Sequence, residues 1–177
     1  KLDENGAFAF KGDAMDNPEF YRLRIAGQII NIAIDSTETV NVKASYPMMA
    51  TDYDVKGSYE NEKIKELALK QIDLQSRCQA VASNPNINVD SAMTVINALV
   101  DAYKNDVERN YIYKEPMKAY AYFALFQYIV VNNTAQLIFN PRTNGKDIKV
   151  YGAVATSWDT FYPNSERGEN LHNIAIQ

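Results

Sequence analysis

The sequence predicts an α+β fold: an N-terminal antiparallel β-sheet, forming a partial β-sandwich over residues 1–57, followed by an all-α helical bundle of about four to five helices over 58–177. Three observations predict it. Before Gly57, apolar and polar residues alternate in short runs bounded by turn residues, the two-residue period of half-buried strands. After Ser58 the apolar residues recur with a period near 3.6, the spacing of amphipathic helices. The composition, 46% hydrophobic and 23% charged over 177 residues, supports a buried core without disulfides or metals.

The elements follow in order. Ala7-Phe8-Ala9-Phe10 alternates after the turn signal Asn5-Gly6 and reads as a strand with Phe8 and Phe10 on one face. A polar connector with Pro18 leads to residues 20–25, where Arg22 and Arg24 alternate with Tyr21, Leu23 and Ile25. Ala26-Gly27 is a tight turn, and the β-branched run 29–34 returns beside 20–25 as a hairpin. Asp35-Ser36-Thr37-Glu38 turns the chain again, and strands follow at 40–44 and 53–56.

The first helix spans about 60–83, with Ile64, Leu67, Leu74, Cys78 and Val81 on its apolar stripe, and Asn84-Pro85-Asn86 stops it. A second helix, capped by Asn88 or Asp90, carries Met93, Ile96, Leu99, Val100, Tyr103 and Val107. The third starts at Pro116, and its run through Ile129 is apolar nearly all round, as expected of an enclosed helix. After the loop 140–145, a fourth helix points Ile148, Tyr151, Val154, Ala155, Trp158 and Phe161 inward. A short last helix, beyond Pro163, carries Leu171 and Ile174.

The net charge of −4 and pI near 5.1, with no basic run, argue against nucleic-acid binding, which needs a concentrated cationic face. One cysteine excludes an internal disulfide, a multi-thiolate zinc site and dithiol redox chemistry within the chain. Cys78 lies late in its helix on the apolar stripe, so it reads as a small buried hydrophobe rather than a nucleophile. His172 sits in a polar terminal segment and reads as solvated. Asp13, Asp16 and Asn17 share a loop without calcium-site spacing and read as turn formers. Asn132-Asn133-Thr134 matches the N-glycosylation pattern. No pair of carboxylates is placed by a motif, so no catalytic, cofactor or metal residue is assigned. Of the 12 tyrosines, most fall on helical core positions. Tyr111 and Tyr113 stand apart, in the connector before Pro116, and form the candidate contact patch for a partner.

A resemblance adds a context. Residues 5–12 (Asn-Gly-Ala-Phe-Ala-Phe-Lys-Gly), then Pro18-Glu19-Phe20-Tyr21-Arg22-Leu23, then Ile32-Ala33-Ile34-Asp35-Ser36, resemble the N-terminal module of bacterial TlpA/ResA-like thiol-disulfide oxidoreductases. Gly57-Ser58 with Lys63-Ile64-Lys65-Glu66-Leu67, and Phe161-Tyr162-Pro163-Asn164-Ser165 with Leu171, resemble the helical region leading into that family's thioredoxin-like domain. In the family the β-rich domain, of unknown function and often on a lipoprotein, precedes the thioredoxin-like domain. The family's catalytic cysteines map to no residue of this chain. The resemblance therefore implies a non-catalytic accessory module with no cofactor, periplasmic or otherwise in the cell envelope. Its partner would be an attached or separate thioredoxin-like domain, with a homodimer as a further candidate, and it would meet the membrane only through an N-terminal lipid anchor. The first residues read as the middle of a strand-turn-strand, so further residues are expected before Lys1. The other reading is an independent envelope domain that binds a glycan or peptide on a tyrosine-rich helical face.

Overall fold

The computed structural model describes residues 1–176, and the fold is α+β. Strands β1 (Met15–Ile25) and β2 (Gln28–Ser36) form a long antiparallel hairpin. Its turn, Ala26-Gly27, has φ of 49° and 80°, the double positive φ whose twist matches that of the flanking strands. Ile25 stands opposite Gln28, and the register runs to Glu19 opposite Ile34. It shifts between Met15 and Glu19, where Pro18 lies. Strands β3 (Asn41–Ala44) and β4 (Tyr53–Lys56) make a second hairpin. The two pack together through Ile30, Ile32, Met49, Tyr53 and Val55, with Leu23, Ile25, Ile34 and Val42 around them.

Gly57 ends this part at φ 89°. A Cβ there would stand 2.5 Å from the Thr39 carbonyl oxygen, so only glycine fits. Ser58 then caps helix α1 (Tyr59–Ala82), its hydroxyl accepting the Asn61 N–H. The predicted stripe is the buried one: Ile64, Leu67, Leu74 and Cys78 are enclosed. Helix α2 (Val89–Val107), capped by Asn88, packs against α1. It runs directly into a single π-helical turn, Glu108–Ile112. Helix α3 (Ala119–Leu125) leads to a third hairpin, β5 (Tyr128–Val131) and β6 (Thr134–Leu137). Helices α4 (Gly145–Phe161, capped by Asn144) and α5 (Glu166–Ile176) complete the body. Among the described residues, no helix is long and apolar enough to cross a membrane.

The main core lies between α1, α2, α3, α4 and α5. Trp158 is its largest enclosed side chain, with the rings of Tyr122 and Tyr162 at 5.1 and 4.9 Å. The buried Tyr151 hydroxyl lies 2.9 Å from the carbonyls of both Leu125 and Phe139, and its single proton serves one at a time. A buried ion pair ties α2 to α4. Lys104 Nζ is 2.7 and 2.8 Å from the two oxygens of Asp147, and Asp147 also accepts the Asn140 N–H at 2.8 Å. Glu60, also buried, accepts the Ala119 N–H at 2.6 Å and so caps α3 from α1; burial still pushes its carboxyl above the usual range.

Three expectations meet a different outcome. Ala7-Phe8-Ala9-Phe10 is not a strand: the Asp3 carboxylate takes the N–H groups of Asn5 and Ala7, no strand pairs with it among the described residues, and Phe10 is 80% exposed. The third helix is short and stops at Leu125, because the β-branched Ile129-Val130-Val131 followed by Asn132-Asn133 favours a hairpin. The second half is thus helical except for that hairpin. Ile148 and Phe161, expected inward, are 41% and 57% exposed: each lies to one side of the buried stripe of Val150, Tyr151, Val154, Ala155 and Trp158.

Candidate interaction surface

Tyr111 and Tyr113 do not form one exposed patch. Helix α2 widens at Glu108–Ile112, and that turn carries Tyr111 and Ile112 into the core. The Tyr111 hydroxyl donates to Glu66 Oε2 at 2.8 Å, its ring stands edge-on to Tyr120, and Lys63 and Lys70 lie over it at 5.7 and 5.9 Å. Burial, and the Glu66 carboxylate after it, raise its phenol above the ordinary value. Tyr113 remains outside, 47% exposed, on the rim of a polar cleft of about 520 Å³ with Lys104, Glu108 and Asp147. The two tyrosines therefore have separate tasks, one in packing and one on the surface.

The other sequence candidates are equally plain. Cys78 is fully enclosed in the main core, and burial pushes its thiol up, away from thiolate. His172 is exposed, with Nδ1 3.4 Å from Asp159 Oδ2, at the rim of a shallow depression beside Pro163 and Ser165. Asp13 is exposed in the connector, whereas Asp16 and Asn17, expected in the same loop, lie in the first residues of β1, with Asp16 exposed.

The surface that the folding does assemble lies between the first and third hairpins. Phe20, Arg22, Ile29 and Asn31 come from β1 and β2. Tyr122, Phe123 and Phe126 come from α3 and its end, Gln127, Tyr128 and Val130 from the third hairpin, and Gln71 and Gln75 from α1. Together they line a groove of about 770 Å³. Phe20 stacks on Tyr122 at 5.4 Å, and Arg167 of α5 lies 5.1 Å over the Phe20 ring while bonding Glu19 at 2.9 Å.

The groove's walls are fixed by carboxamides of α1. Gln75 Nε2 donates to the Val130 carbonyl and Gln75 Oε1 accepts the Val130 N–H, both at 2.6 Å. Gln71 Nε2 donates to the Tyr128 carbonyl at 2.8 Å. At the other end of the helix, Asn61 Oδ1 accepts the Ala33 N–H at 2.8 Å and Asn61 Nδ2 donates to the Ala33 carbonyl at 2.6 Å. A carboxamide sets an N–H donor beside a carbonyl acceptor, as a strand residue does, so Asn61 and Gln75 each complete a hairpin edge as a missing strand would.

Sequence reasoning missed this surface. By sequence, Phe20 and the arginines are strand and the run from Pro116 through Ile129 is enclosed helix, and nothing local marks Gln71 or Gln75 as partners of a hairpin. The usable signal was Asn132-Asn133 after three β-branched residues, a turn pair that accepts positive φ (51° and 62°). Compared with protein-family models, curated proteins and solved structures, the chain matches none.

Proposed function

We propose that the chain is a non-catalytic interaction module that stands beside a thioredoxin-like domain in a cell-envelope thiol-disulfide oxidoreductase. The observation that supports the reading is the groove between the first and third hairpins, an aromatic and polar surface whose walls are clamped in place by Gln71 and Gln75. A surface fixed before contact loses little entropy on docking. Cys78 is locked in the core, so in this reading disulfide exchange belongs to the partner's own cysteine pair. The module's contribution is geometric: it raises the effective concentration of a protein substrate near that pair. The redox partner and the periplasmic or envelope setting, with membrane attachment through a lipid anchor, rest on the sequence resemblance alone.

The test is insulin reduction driven by dithiothreitol, with a TlpA-like thioredoxin domain alone, with this chain alone, and with the two fused. The expected result is no turnover by the chain above the dithiothreitol background and a lower KM for the fusion. Turnover by the chain alone, or identical kinetics with and without it, would end the proposal.

A second reading, an independent envelope domain for a glycan or peptide, is favoured by Tyr21 and Tyr128, which stand 45% and 55% exposed at the groove. Saturable binding on a glycan array, lost on Tyr128→Ala and kept on Tyr113→Ala, would select it.

A further inference from the structure

Of the outward-facing backbone groups on the two edges of the first hairpin, those of Ala33 on β2 are taken up by a side chain, and those of Arg22 and Arg24 on β1 are not. The two-residue turn makes Ile25 and Gln28 a hydrogen-bonded pair, and the bonding alternates from there. Ala33 is then a non-bonded position whose N–H and C=O point outward, which is where Asn61 takes them. By the same alternation, Arg22 and Arg24 on β1 point their N–H and C=O away from β2. No strand pairs with that side of β1, and neither residue's backbone has a partner among the described residues. Proline lacks a ladder donor and is tolerated where the N–H would face outward, and Pro18 sits in this strand. The edge is long, uncovered over Arg22 and Arg24, and adjoins the aromatic groove.

Its charge names the occupant. Arg22 and Arg24 are exposed, share one face of the sheet, and have no acidic group within ion-pair distance among the described residues, although the chain is net acidic. A strand laid against β1 places alternate side chains directly opposite these two arginines. A second copy paired through the same edge would set arginine against arginine, which opposes it.

We propose that the outer edge of β1 is a docking edge for an extended protein segment in which acidic residues alternate with apolar ones. The segment adds a strand by main-chain hydrogen bonds to Arg22 and Arg24, and its carboxylates pair with their guanidinium groups. The inference rests on reading the chain as an interaction module and names the chemistry of what the module holds.

The experiment is residue-resolved amide exchange by NMR on the whole chain with the peptide acetyl-Glu-Val-Glu-Val-Glu-amide, and with its lysine counterpart acetyl-Lys-Val-Lys-Val-Lys-amide. Without peptide, the amides of Arg22 and Arg24 exchange fast and those of Tyr21 and Leu23 slowly. The acidic peptide slows Arg22 and Arg24, and the lysine peptide binds weaker by about tenfold, the worth of two cross-strand charge pairs. Arg22→Pro removes an outward N–H without touching the β1–β2 ladder and abolishes the protection. Should that variant misfold, the double variant Arg22→Glu with Arg24→Glu keeps the test open, because it must prefer the lysine peptide. Unchanged exchange at millimolar peptide overturns the proposal, as does equal binding of both peptides, full binding by Arg22→Pro, or protection of these amides by dimerisation alone. Such a failure leaves the KM of the thioredoxin fusion to decide the module reading separately.

Discussion

The hairpin of β1 and β2 and the hairpin of β5 and β6 both turn through two residues of positive φ. Each offers one residue's outward N–H and C=O to a carboxamide of α1: Ala33 to Asn61, and Val130 to Gln75. They differ in depth. Asn61 is 2% exposed and is braced by Ser58 Oγ at 2.9 Å, whereas Gln75 is only half-buried. The same chemistry therefore carries different weight, because a buried backbone group has no water to fall back on and a half-buried one does. A single helix, α1, sets the position of both hairpins and so of the groove between them.

Removing the deep clamp is the strongest way to break the comparison. Asn61→Leu leaves the N–H and C=O of Ala33 buried without partners, and each such group costs about 1–3 kcal/mol. Urea unfolding should show a loss of about 2–6 kcal/mol in total. The first hairpin should also loosen from the helical body, seen as lost contact between Phe20 and Tyr122. A loss below about 1 kcal/mol would mean that the clamp is not what joins the two parts.

This junction also marks how far the residues can be read unaided. The stripe Ile64, Leu67, Leu74 and Cys78 is explicit because one face of a long helix is apolar and the other charged. The first hairpin is explicit because alternation and a turn pair agree. Asn61, by contrast, is one polar residue in a first helical turn, and nothing local says that its partner lies 28 positions earlier. Tyr128-Ile129-Val130-Val131 continues the apolar run of α3, so helix and strand have the same composition there, and only Asn132-Asn133 separates them. Tyr111 reads as connector but is enclosed, because the helix does not end at Val107 and continues through a π-helical turn to Ile112, which no local residue signals. The groove needs all of these long-range placements at once, and so none of its parts declares it alone.

The shallow clamp should cost less to break. Gln75→Leu frees the N–H and C=O of Val130, but water reaches both, so the expected loss is about 1–2 kcal/mol. Amide exchange at Val130 should rise while that at Ala33 is unchanged. The two clamps are far apart on α1 and share no partner, so the double variant should lose the sum of the two within about 0.5 kcal/mol. A larger joint loss would show that the hairpins support each other across the groove.

The smallest difference lies in the turns. Residues 26 and 27 of the first hairpin are Ala and Gly, with Ala26 at φ 49°, where a Cβ is strained and an alanine has no side-chain group to compensate. The third hairpin uses Asn132 and Asn133 at 51° and 62°, the residue type that best tolerates this region after glycine. Ala26→Asn should therefore stabilise by about 0.5–1 kcal/mol, and Asn132→Ala should destabilise by about as much. In thermal melts these are shifts of roughly 1–4 °C of opposite sign for a chain of this size. Shifts of the same sign would mean that the turn residues do not set the hairpins' stability, and that the carboxamides of α1 hold both in place without help from the turns.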